Sequence, residues 1–389
     1  MAKVFLKSGK EARVLNGHPW VFISDIAQAE VACSPGDVVS VHTRQGRFLA
    51  QAVYNPKSQI ALRILTTQDE PVDAAFIRGR VKRAIDYRRR FADLRSCRLI
   101  HAEADGLPAV VVDSFGPVLS LQCLSLGMER FERDIVEALV DELSPEGIYA
   151  RNDVSVRSLE GLEQATGLLY GQVPERIEIL ENGIRFLVDV KQGQKTGYFL
   201  DQKENRAAIA PFAKDAKVLD CFAHTGSFAL HAAHYGAAEV TGVDISAFAS
   251  DFARQNARLN GFDRVHFEVA NVFDLLSQQA QQGAQYDMII LDPPAFAKSK
   301  AKVASATKGY KEINLRAMKM LKSGGYLVSC SCSHHILGAM FRDILLQAAI
   351  DARVELMQVE FRGQGRDHPV LPAAIETQYL KCGIYRVCY

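Results

Sequence analysis

The 389-residue sequence lacks several features that would each place it in a distinct class of protein. No apolar run approaches the roughly 18 residues that a membrane-spanning helix needs, and the first residues lack the apolar core of a signal peptide. The eight cysteines are scattered without a Cys-x-x-Cys pair, which suggests neither a zinc site nor a disulfide framework. There is no internal repeat and no low-complexity segment. We therefore expect a cytoplasmic protein with reduced thiols, no metal and no membrane partner.

A strong excess of charge of either sign is also missing, because 46 Lys and Arg face 45 Asp and Glu. Such balance argues weakly against nucleic-acid binding, but the basic residues are clustered within residues 78–98 and 298–322. Basic clusters attract phosphates, although each of these could instead be a solvated helix face. The expected phosphate-binding residues are Arg88, Arg89, Arg90, Lys298 and Lys300.

The pattern of apolar residues divides the chain into three predicted domains of an α/β protein. Residues 1–70 show short strand patterns separated by turns, which predicts a small β-barrel. Residues 74–174 mix helix and strand patterns, which predicts an α+β domain whose first helix, over about 74–95, is capped by Asp73. Residues 175–389 alternate strands and helices, the pattern of a doubly wound, mostly parallel sheet.

The most informative segment is a β–loop–α–β pattern in the third domain. One apolar run ends in Asp220, a tight loop and a small-residue helix follow, and a second apolar run ends in Asp244. Acids at two strand ends are typical of a nucleoside-binding site on a parallel sheet. The loop has one glycine, Gly226, whereas a dinucleotide fold has three so that its backbone can approach a pyrophosphate. This argues against a NAD-dependent oxidoreductase and favours a ligand with adenosine but no phosphates, such as S-adenosylmethionine (SAM).

Each part of SAM can be assigned to residues near these strand ends. We expect Asp220 near the methionine amino group, Asp244 on both ribose hydroxyls, Ile245 packed on adenine and the Asn271 amide at the adenine edge. The segment 196–201 would cover the cofactor, although its aromatic residues could equally belong to a core. The expected cofactor site comprises Thr196, Tyr198, Phe199, Asp201, Asp220, Phe222, Thr225, Gly226, Asp244, Ile245, Ser246, Asn271 and Val272.

Two further strand patterns end in groups that can take part in chemistry. The strand 286–291 runs into Asp292, followed by two prolines that lack N–H groups and stiffen the loop beside the ligand. The strand that follows the glycine pair 324–325 ends in Cys330 and Cys332, and residues two apart on a strand face the same side. Both cysteines are candidates for a nucleophile, and the alternative is a pair of buried small apolar residues.

Several motifs spread along the chain resemble one known family. Residues 6–22 resemble the PUA RNA-binding module fused to bacterial rRNA methyltransferases, and residues 101–113 resemble their central domain. Residues 195–206, 367–371 and 379–381 also match. Over essentially the whole chain the sequence is similar to the ribosomal RNA large subunit methyltransferase I family. The resemblance implies a class I, Rossmann-like SAM-methyltransferase domain behind a PUA barrel and a small central domain. It also implies 23S rRNA as partner and 5-methylcytosine as product.

Methylation at C5 of cytosine requires covalent help, because C5 is a poor nucleophile. A cysteine thiolate adds to C6, C5 takes the SAM methyl, a base removes the C5 proton and the cysteine is eliminated. We expect Cys332 to be this nucleophile, since it lies further toward the strand end and matches the family's Ser-Cys-Ser. Asp292 would hydrogen-bond the protonated N3, or else cap the next turn. Ala295 stands where many RNA 5-methylcytosine enzymes carry a second cysteine, which leaves product release without an obvious residue.

Two alternatives stay open from sequence. Enzymes that methylate an exocyclic base nitrogen use Asn/Asp-Pro-Pro followed by an aromatic residue, but here the aromatic residue is displaced by one position, to Phe296. The second alternative is a non-catalytic RNA chaperone that retains a SAM pocket. The intact Cys332 argues against it. The sequence names neither the modified nucleotide nor whether the chain forms a homodimer.

Overall fold

The computed structural model describes residues 1–389, which fold into two compact units. The first unit contains residues 1–179, 188–200 and 366–377, and the second contains residues 180–187, 201–365 and 378–389. Three segments of the predicted third domain, residues 175–179, 188–200 and 366–377, therefore belong to the first unit. The last one is tied there because the backbone N–H of Arg98 donates to the Asp367 carboxylate over 2.9 Å. None of the helices combines the length and the apolar character that crossing a membrane requires.

The N-terminal part of the first unit is a six-stranded sheet with strand order β2-β6-β5-β4-β1-β3. Its elements are β1 (Lys3–Leu6), α1 (Glu11–Leu15), β2 (Trp20–Phe22), β3 (Ile26–Ala29), β4 (Val38–His42), β5 (Phe48–Tyr54) and β6 (Ile60–Thr66). Its strands enclose a core that includes Val4, Leu6, Val41 and Leu62. Short strands around one apolar core are what the sequence pattern predicts for residues 1–70.

The central part of the first unit is a five-stranded sheet of order β11-β10-β9-β8-β7 with helices packed on it. Its elements are α2 (Ala74–Arg88), β7 (Ser96–His101), β8 (Val110–Phe115), β9 (Val118–Cys123), α3 (Leu126–Glu129), α4 (Glu132–Leu143), β10 (Gly147–Asn152), α5 (Val156–Leu159) and β11 (Ala165–Gly171). The predicted cap of α2 is confirmed, because the Asp73 side chain accepts a hydrogen bond from Phe76 N. The helix ends at Arg88 rather than near residue 95.

A seven-stranded sheet forms the second unit, in the order β16-β15-β14-β17-β18-β20-β19. A two-stranded hairpin, β12 (Ile177–Glu181) and β13 (Ile184–Val188), precedes it in the chain. The sheet strands are β14 (Lys217–Cys221), β15 (Glu239–Asp244), β16 (Val265–Val269), β17 (Tyr286–Leu291), β18 (Leu321–Ser331), β19 (Glu355–Arg362) and β20 (Lys381–Cys388). The first five of these run parallel to one another, and β20 is antiparallel to both β18 and β19. The predicted doubly wound, mostly parallel sheet is confirmed.

Helices connect these strands and bury their apolar faces with the sheet. They are α6 (Lys203–Ala208), α7 (Ala210–Ala213), α8 (Ser227–His234), α9 (Ala247–Leu259), α10 (Val272–Gln281), α11 (Val303–Met320) and α12 (Gly338–Ala352). One core cluster joins Ile289 and Leu291 of β17 with Leu327 of β18, Tyr310 of α11 and Phe341 of α12, all fully buried. Close packing of this kind tolerates little movement, so it holds the ends of β17 and β18 in place.

Candidate active site

Four side chains capable of chemistry lie at the carboxyl ends of neighbouring parallel strands. Asp244 ends β15, Asp220 lies near the end of β14, Asp292 directly follows β17 and Cys332 directly follows β18. The strand order reverses between β14 and β17, because the chain runs outward from β14 through β15 and β16 and then returns to its other side. Ligands of open α/β sheets bind at such a reversal. The four groups thus share the edge at which this fold holds its ligands.

The loop after β14 has a strained backbone. Phe222, His224 and Gly226 all have positive φ, of 64°, 50° and 86°. A Cβ added at Gly226 would lie 2.8 Å from the Phe267 ring, so no larger residue fits there. Non-glycine residues in this conformation cost of order 1–3 kcal/mol each and are concentrated at ligand-binding loops. The tight loop predicted from a single glycine is therefore observed, with three left-handed residues instead of three glycines.

Asp244 fastens this loop to the start of the next helix. Its Oδ2 accepts a hydrogen bond from His224 N and its Oδ1 accepts one from Ser246 N, each over 2.9 Å. Ser246 in turn caps α9 by accepting from Ala249 N. Asp244 thereby connects the backbone at His224 with the backbone at Ser246. Its side chain remains partly exposed, as the predicted contact with the ribose requires.

Asp220 presents a buried carboxylate oxygen that accepts no hydrogen bond. Its Oδ2 accepts from Ala229 N of α8 over 2.9 Å, whereas Oδ1 has no partner. Burial raises the pKa of Asp220 well above its ordinary value, and the carboxylates of Asp292 and Asp244 add to this rise. The hydroxyl oxygen of Thr225 is likewise buried without a partner. Orphaned buried polar atoms cost about 1–3 kcal/mol, and a ligand ammonium group, such as that of SAM, is a donor that would satisfy them.

Apolar side chains that are exposed next to Asp244 form the other side of the site. Ile245 follows Asp244 and is 72% exposed, and Phe248 of α9 and Val269 at the end of β16 are also exposed. A planar adenine would cover such a surface and remove it from water. Asn271 lies at the same strand end, where its Oδ1 caps α10 by accepting from Phe273 N and leaves its amide N–H groups for the adenine edge. Val272 is buried, so only its backbone can contribute.

The predicted covering segment is divided between the two units. Thr196, Tyr198 and Phe199 belong to the first unit, and Asp201 belongs to the second. The Thr196 hydroxyl donates to Asp113 over 2.6 Å, and Tyr198 is buried. Asp201 accepts a hydrogen bond from the Tyr379 hydroxyl over 2.8 Å. Tyr198 is thus built into a core, which is the alternative that the sequence left open for the aromatic residues. Contact of Thr196 and Tyr198 with a cofactor stays a prediction.

Asp292 has a partner that the sequence did not reveal. Gln202 is buried, and its Nε2 donates to Asp292 Oδ1 over 2.9 Å. Asn205 Nδ2 donates both to Gln202 Oε1, over 2.6 Å, and to the Gly363 carbonyl, over 3.0 Å. Both residues lie in the segment 195–206 that carries the family resemblance, and this was the only available signal. Asp292 is therefore oriented by an amide chain.

The two cysteines of β18 have different environments. Cys330 is fully buried and lies opposite Cys382 of β20. Burial raises the pKa of Cys330 well above its ordinary value, and Cys382 adds to the rise. Cys332 is only partly buried, and its Sγ lies 3.9 Å from the carbonyl oxygen of Pro293, the residue after Asp292. Cys332 is thus the cysteine at the edge of the sheet.

Serines on both sides hold the backbone of Cys332. Ser331 Oγ and Ser333 Oγ each lie 3.0 Å from the buried hydroxyl of Tyr310, and Ser333 Oγ also accepts from Ala297 N over 3.2 Å. These bonds join the end of β18 to α11 and to the loop after Asp292. The Ser-Cys-Ser sequence thereby acts as a clamp with the thiol at its centre.

One of the predicted phosphate-binding residues requires correction. Arg88 is fully buried, and its guanidinium donates to the carboxylate of Asp105 and to the carbonyl oxygens of Arg98 and Asp367 over 2.6, 2.9 and 2.7 Å. It cannot reach RNA without breaking its hydrogen bonds to these two carbonyls and its ion pair with Asp105, so its prediction as an RNA contact is wrong. The sequence pattern could not distinguish it from its neighbours, because consecutive helix residues face different directions.

The other predicted phosphate contacts are on the surface. Arg89 forms ion pairs with Asp86 and Glu142. Arg90, Lys298 and Lys300 are exposed. Exposed cations without a close carboxylate attract phosphates more strongly than paired ones, because no partner must be displaced. Arg90 and the two lysines thus remain the better candidates.

Comparisons with known proteins agree with this architecture. A family model described as S-adenosylmethionine-dependent methyltransferase matches residues 154–384, and one described as PUA-like domain matches residues 4–67. The ribosomal RNA large subunit methyltransferase I of Aeromonas salmonicida is 41% identical over 386 residues, which cover 97% of each chain. That of Shewanella denitrificans is 42% identical over 393 residues, which cover 99% of each.

Solved structures share the fold at lower sequence identity. A candidate SAM-dependent methyltransferase from Streptococcus mutans superposes with a TM-score of 0.85 at 22% identity, covering 99% of this chain and 100% of that one. A candidate methyltransferase crystallised in complex with SAH gives a TM-score of 0.86, also at 22% identity and with the same coverage. These two likenesses concern the fold alone.

Proposed function

Because the chain belongs to the ribosomal RNA large subunit methyltransferase I family of SAM-dependent methyltransferases, we propose that it forms 5-methylcytosine in 23S rRNA. The proposed route is a covalent adduct between the Cys332 sulfur and C6 of the target cytosine. Its relatives carry the name of large subunit rRNA enzymes, and the PUA-like domain at residues 4–67 is suited to holding RNA. SAM is the cofactor.

The observation that carries the proposal is the place of Cys332. A nucleophile for C6 must be accessible, and it must lie at the sheet edge where the methyl donor binds. Cys332 is partly exposed there, clamped by two serines, with Sγ 3.9 Å from the carbonyl of Pro293. Cys330 meets neither condition, because it is buried beside Cys382. This contrast supports Cys332 as the nucleophile and Cys330 as a structural residue.

The chain supplies two of the groups that this route needs, Cys332 and Asp292. The Cys332 thiolate forms the S–C6 bond, and the electron pair of the C5–C6 double bond makes C5 nucleophilic. Asp292, held by Gln202, accepts a hydrogen bond from the protonated N3, and the N3 proton balances the electron pair that the attack pushes into the ring. When bound, SAM supplies the methyl group that becomes attached to C5. A water molecule then accepts the C5 proton, the C5–H electron pair re-forms the C5–C6 double bond, and the C6–S bond breaks with its electron pair returning to the Cys332 thiolate.

The target base lies in folded RNA and must be splayed out to reach this edge. Lys298 and Lys300, after the Asp-Pro-Pro loop, supply exposed cations for the phosphates that flank the target base. Phe296 follows the same loop, but its ring packs on Tyr310 with the centroids 4.6 Å apart. Phe296 thus belongs in part to the core, which weakens the exocyclic-nitrogen alternative because that chemistry needs a ring stacked on the base.

Analysis of the nucleoside product tests the proposal directly. The chain is incubated with SAM and 23S rRNA, the RNA is digested to nucleosides, and chromatography with mass spectrometry separates 5-methylcytidine from N4-methylcytidine. We expect 5-methylcytidine from the wild type and from Cys330→Ala, and none from Cys332→Ala. An N4-methylated product, or an active Cys332→Ala variant, would reject the covalent route.

A further inference from the structure

Lys381 is a buried lysine beside the proposed nucleophile. It is the first residue of β20, pairs with Ser331 of β18 in the strand register, and is only 4% exposed. Its Nζ donates to the carbonyl oxygen of Ser333 over 2.7 Å and to that of Tyr379 over 2.8 Å. Ser333 directly follows Cys332, so the ammonium is bound to the backbone that carries the thiol.

The ammonium of Lys381 has no carboxylate partner. It forms no ion pair with Asp or Glu, although buried charges in proteins are normally paired. An ammonium has three N–H donors, and two of them are used by carbonyl oxygens, which leaves one. Burial lowers the pKa of Lys381 to about 8, and the sulfur of Cys332 is the group whose negative charge opposes this effect. The natural counter-charge of this lysine is therefore a thiolate.

The other groups around Cys332 cannot replace this cation. Asp292 lies next to Pro293, whose carbonyl is near the sulfur, and its negative charge disfavours a thiolate. Burial raises the pKa of the Tyr310 hydroxyl, which keeps this neighbour neutral. His334 is exposed, and its ring lies 5.5 Å from that of Tyr379. Lys381 is the buried cation on this side of the site.

We propose that Lys381 is a positioning residue that stabilises the thiolate form of Cys332 and fixes the strand end that bears it. No proton passes between the two groups in this role. Negative charge leaves the sulfur when the S–C6 bond forms and returns when that bond breaks, and the ammonium remains protonated throughout. The consequence for catalysis rests on the proposed function, whereas the pairing of the ammonium with the thiolate can be tested without any RNA.

The test measures the pH dependence of Cys332 alkylation by iodoacetamide, which reacts with the thiolate. Fragment ions in mass spectrometry separate Cys332 from Cys330. In Lys381→Gln the side chain keeps N–H donors but has no charge, whereas Lys381→Arg keeps the charge. A neighbouring charge shifts a titration by about 1–3 units. We expect the midpoint of alkylation to rise by about one pH unit or more in Lys381→Gln and to change little in Lys381→Arg.

A wild-type midpoint in Lys381→Gln, with SAM binding intact, would overturn the proposal. If that variant fails to fold, the alkylation midpoint of Cys332 in the wild type is compared with the pKa of a free cysteine, which is about 8.5. A wild-type midpoint about one unit lower supports the pair, and one at or above that value rejects it. Product analysis runs in parallel, where Lys381→Gln should lose activity at pH 7 and regain part of it at pH 9. Absence of 5-methylcytidine even with the wild type would reject the proposed function and leave the alkylation result valid.

Discussion

The side-chain amide of Gln202 donates from Nε2 to Oδ1 of Asp292 over 2.9 Å. Asn205 occupies the carbonyl oxygen of the same amide, because its Nδ2 donates to Gln202 Oε1 over 2.6 Å. Gln202 can therefore offer only its N–H groups to Asp292. The chain of amides fixes the direction in which the remaining oxygen of Asp292 points.

Loss of this contact should affect catalysis more than cofactor binding. A hydrogen bond to a charged group contributes about 1.5–3 kcal/mol, so Gln202→Ala should lower kcat for methylation by about tenfold or more. The Kd for SAM should change less than about twofold. Gln281→Ala, an exposed glutamine at the end of α10, serves as the matched control. Unchanged kcat in Gln202→Ala would show that Asp292 does not depend on Gln202.

Removal of the Asp244 carboxylate should weaken SAM binding at least tenfold. The predicted ribose contact is charge-assisted and contributes about 1.5–3 kcal/mol, and Asp244 also holds the backbone at His224 and Ser246. Isothermal titration calorimetry on Asp244→Ala measures the effect. Asp251→Ala is the control, because Asp251 is an exposed acid on the adjoining helix. Equal affinity in the two variants would remove Asp244 from the cofactor site.

RNA that contains 5-fluorocytosine should trap the proposed adduct. Fluorine at C5 cannot leave as a proton does, so elimination of the cysteine is blocked after methyl transfer. Wild type and Cys330→Ala should form a complex that survives a denaturing gel, and Cys332→Ala should not. A band with Cys332→Ala but none with Cys330→Ala would exchange the two roles. Absence of a band in every variant, together with normal methylation, would favour the exocyclic-nitrogen reaction.

RNA affinity should depend on the exposed lysines and not on salt-bridged arginines. Each lysine that contacts a phosphate adds about one to the slope of log affinity against log salt. The double variant Lys298→Ala/Lys300→Ala should reduce that slope by about two and leave SAM binding unchanged. Lys214→Ala, an exposed lysine outside both basic segments, is the control. A slope equal to that of the control would make the pair a solvated surface.

Stability should fall in mild acid because of His231. This residue is fully buried in α8, its Nδ1 lies 2.7 Å from Ser227 O, and Asn182 donates to its Nε2, so the ring is neutral. Burial lowers its pKa to about 3, and the charge of Arg206 adds to the effect. The unfolded chain binds a proton near about pH 6.5, whereas the folded chain does not until about pH 3. The stabilisation is therefore complete above pH 6.5 and is lost as the pH falls.

Urea unfolding at two pH values measures this loss. From pH 7 to 5.5 the His231 contribution to the free energy of unfolding should decrease by about 1 kcal/mol. His231→Gln cannot titrate, so it should be less stable at pH 7 but lose less stability between the two values. His266→Gln, an exposed histidine on β16, provides the comparison. An equal loss in His231→Gln and wild type would mean that other groups cause the acid sensitivity.

The sequence by itself determined the sheet and the residues at its edge. Buried parallel strands are continuous apolar runs, so the point where each run meets a polar residue can be read locally. For this reason the apolar runs assign Asp220, Asp244 and Asp292 to the same edge, whereas the choice of Cys332 over Cys330 also needed the family's Ser-Cys-Ser match. The single glycine of the first loop also argued against a pyrophosphate site, because the effect of a glycine on the backbone is local.

Only the tertiary structure decided which residues those groups depend on. Arg88 sits among exposed arginines in the sequence, and its burial follows from contacts with residues as distant as Asp367. Gln202 and Lys381 reach Asp292 and the backbone beside Cys332 from segments far away in the chain. The periodicity of apolar residues does not predict such contacts, because each of them forms only when two separate segments fold against one strand end. Desolvation also depends on the folded chain. The pKa values of Asp220 and Cys330 are raised because the fold buries both groups among neighbours from other segments.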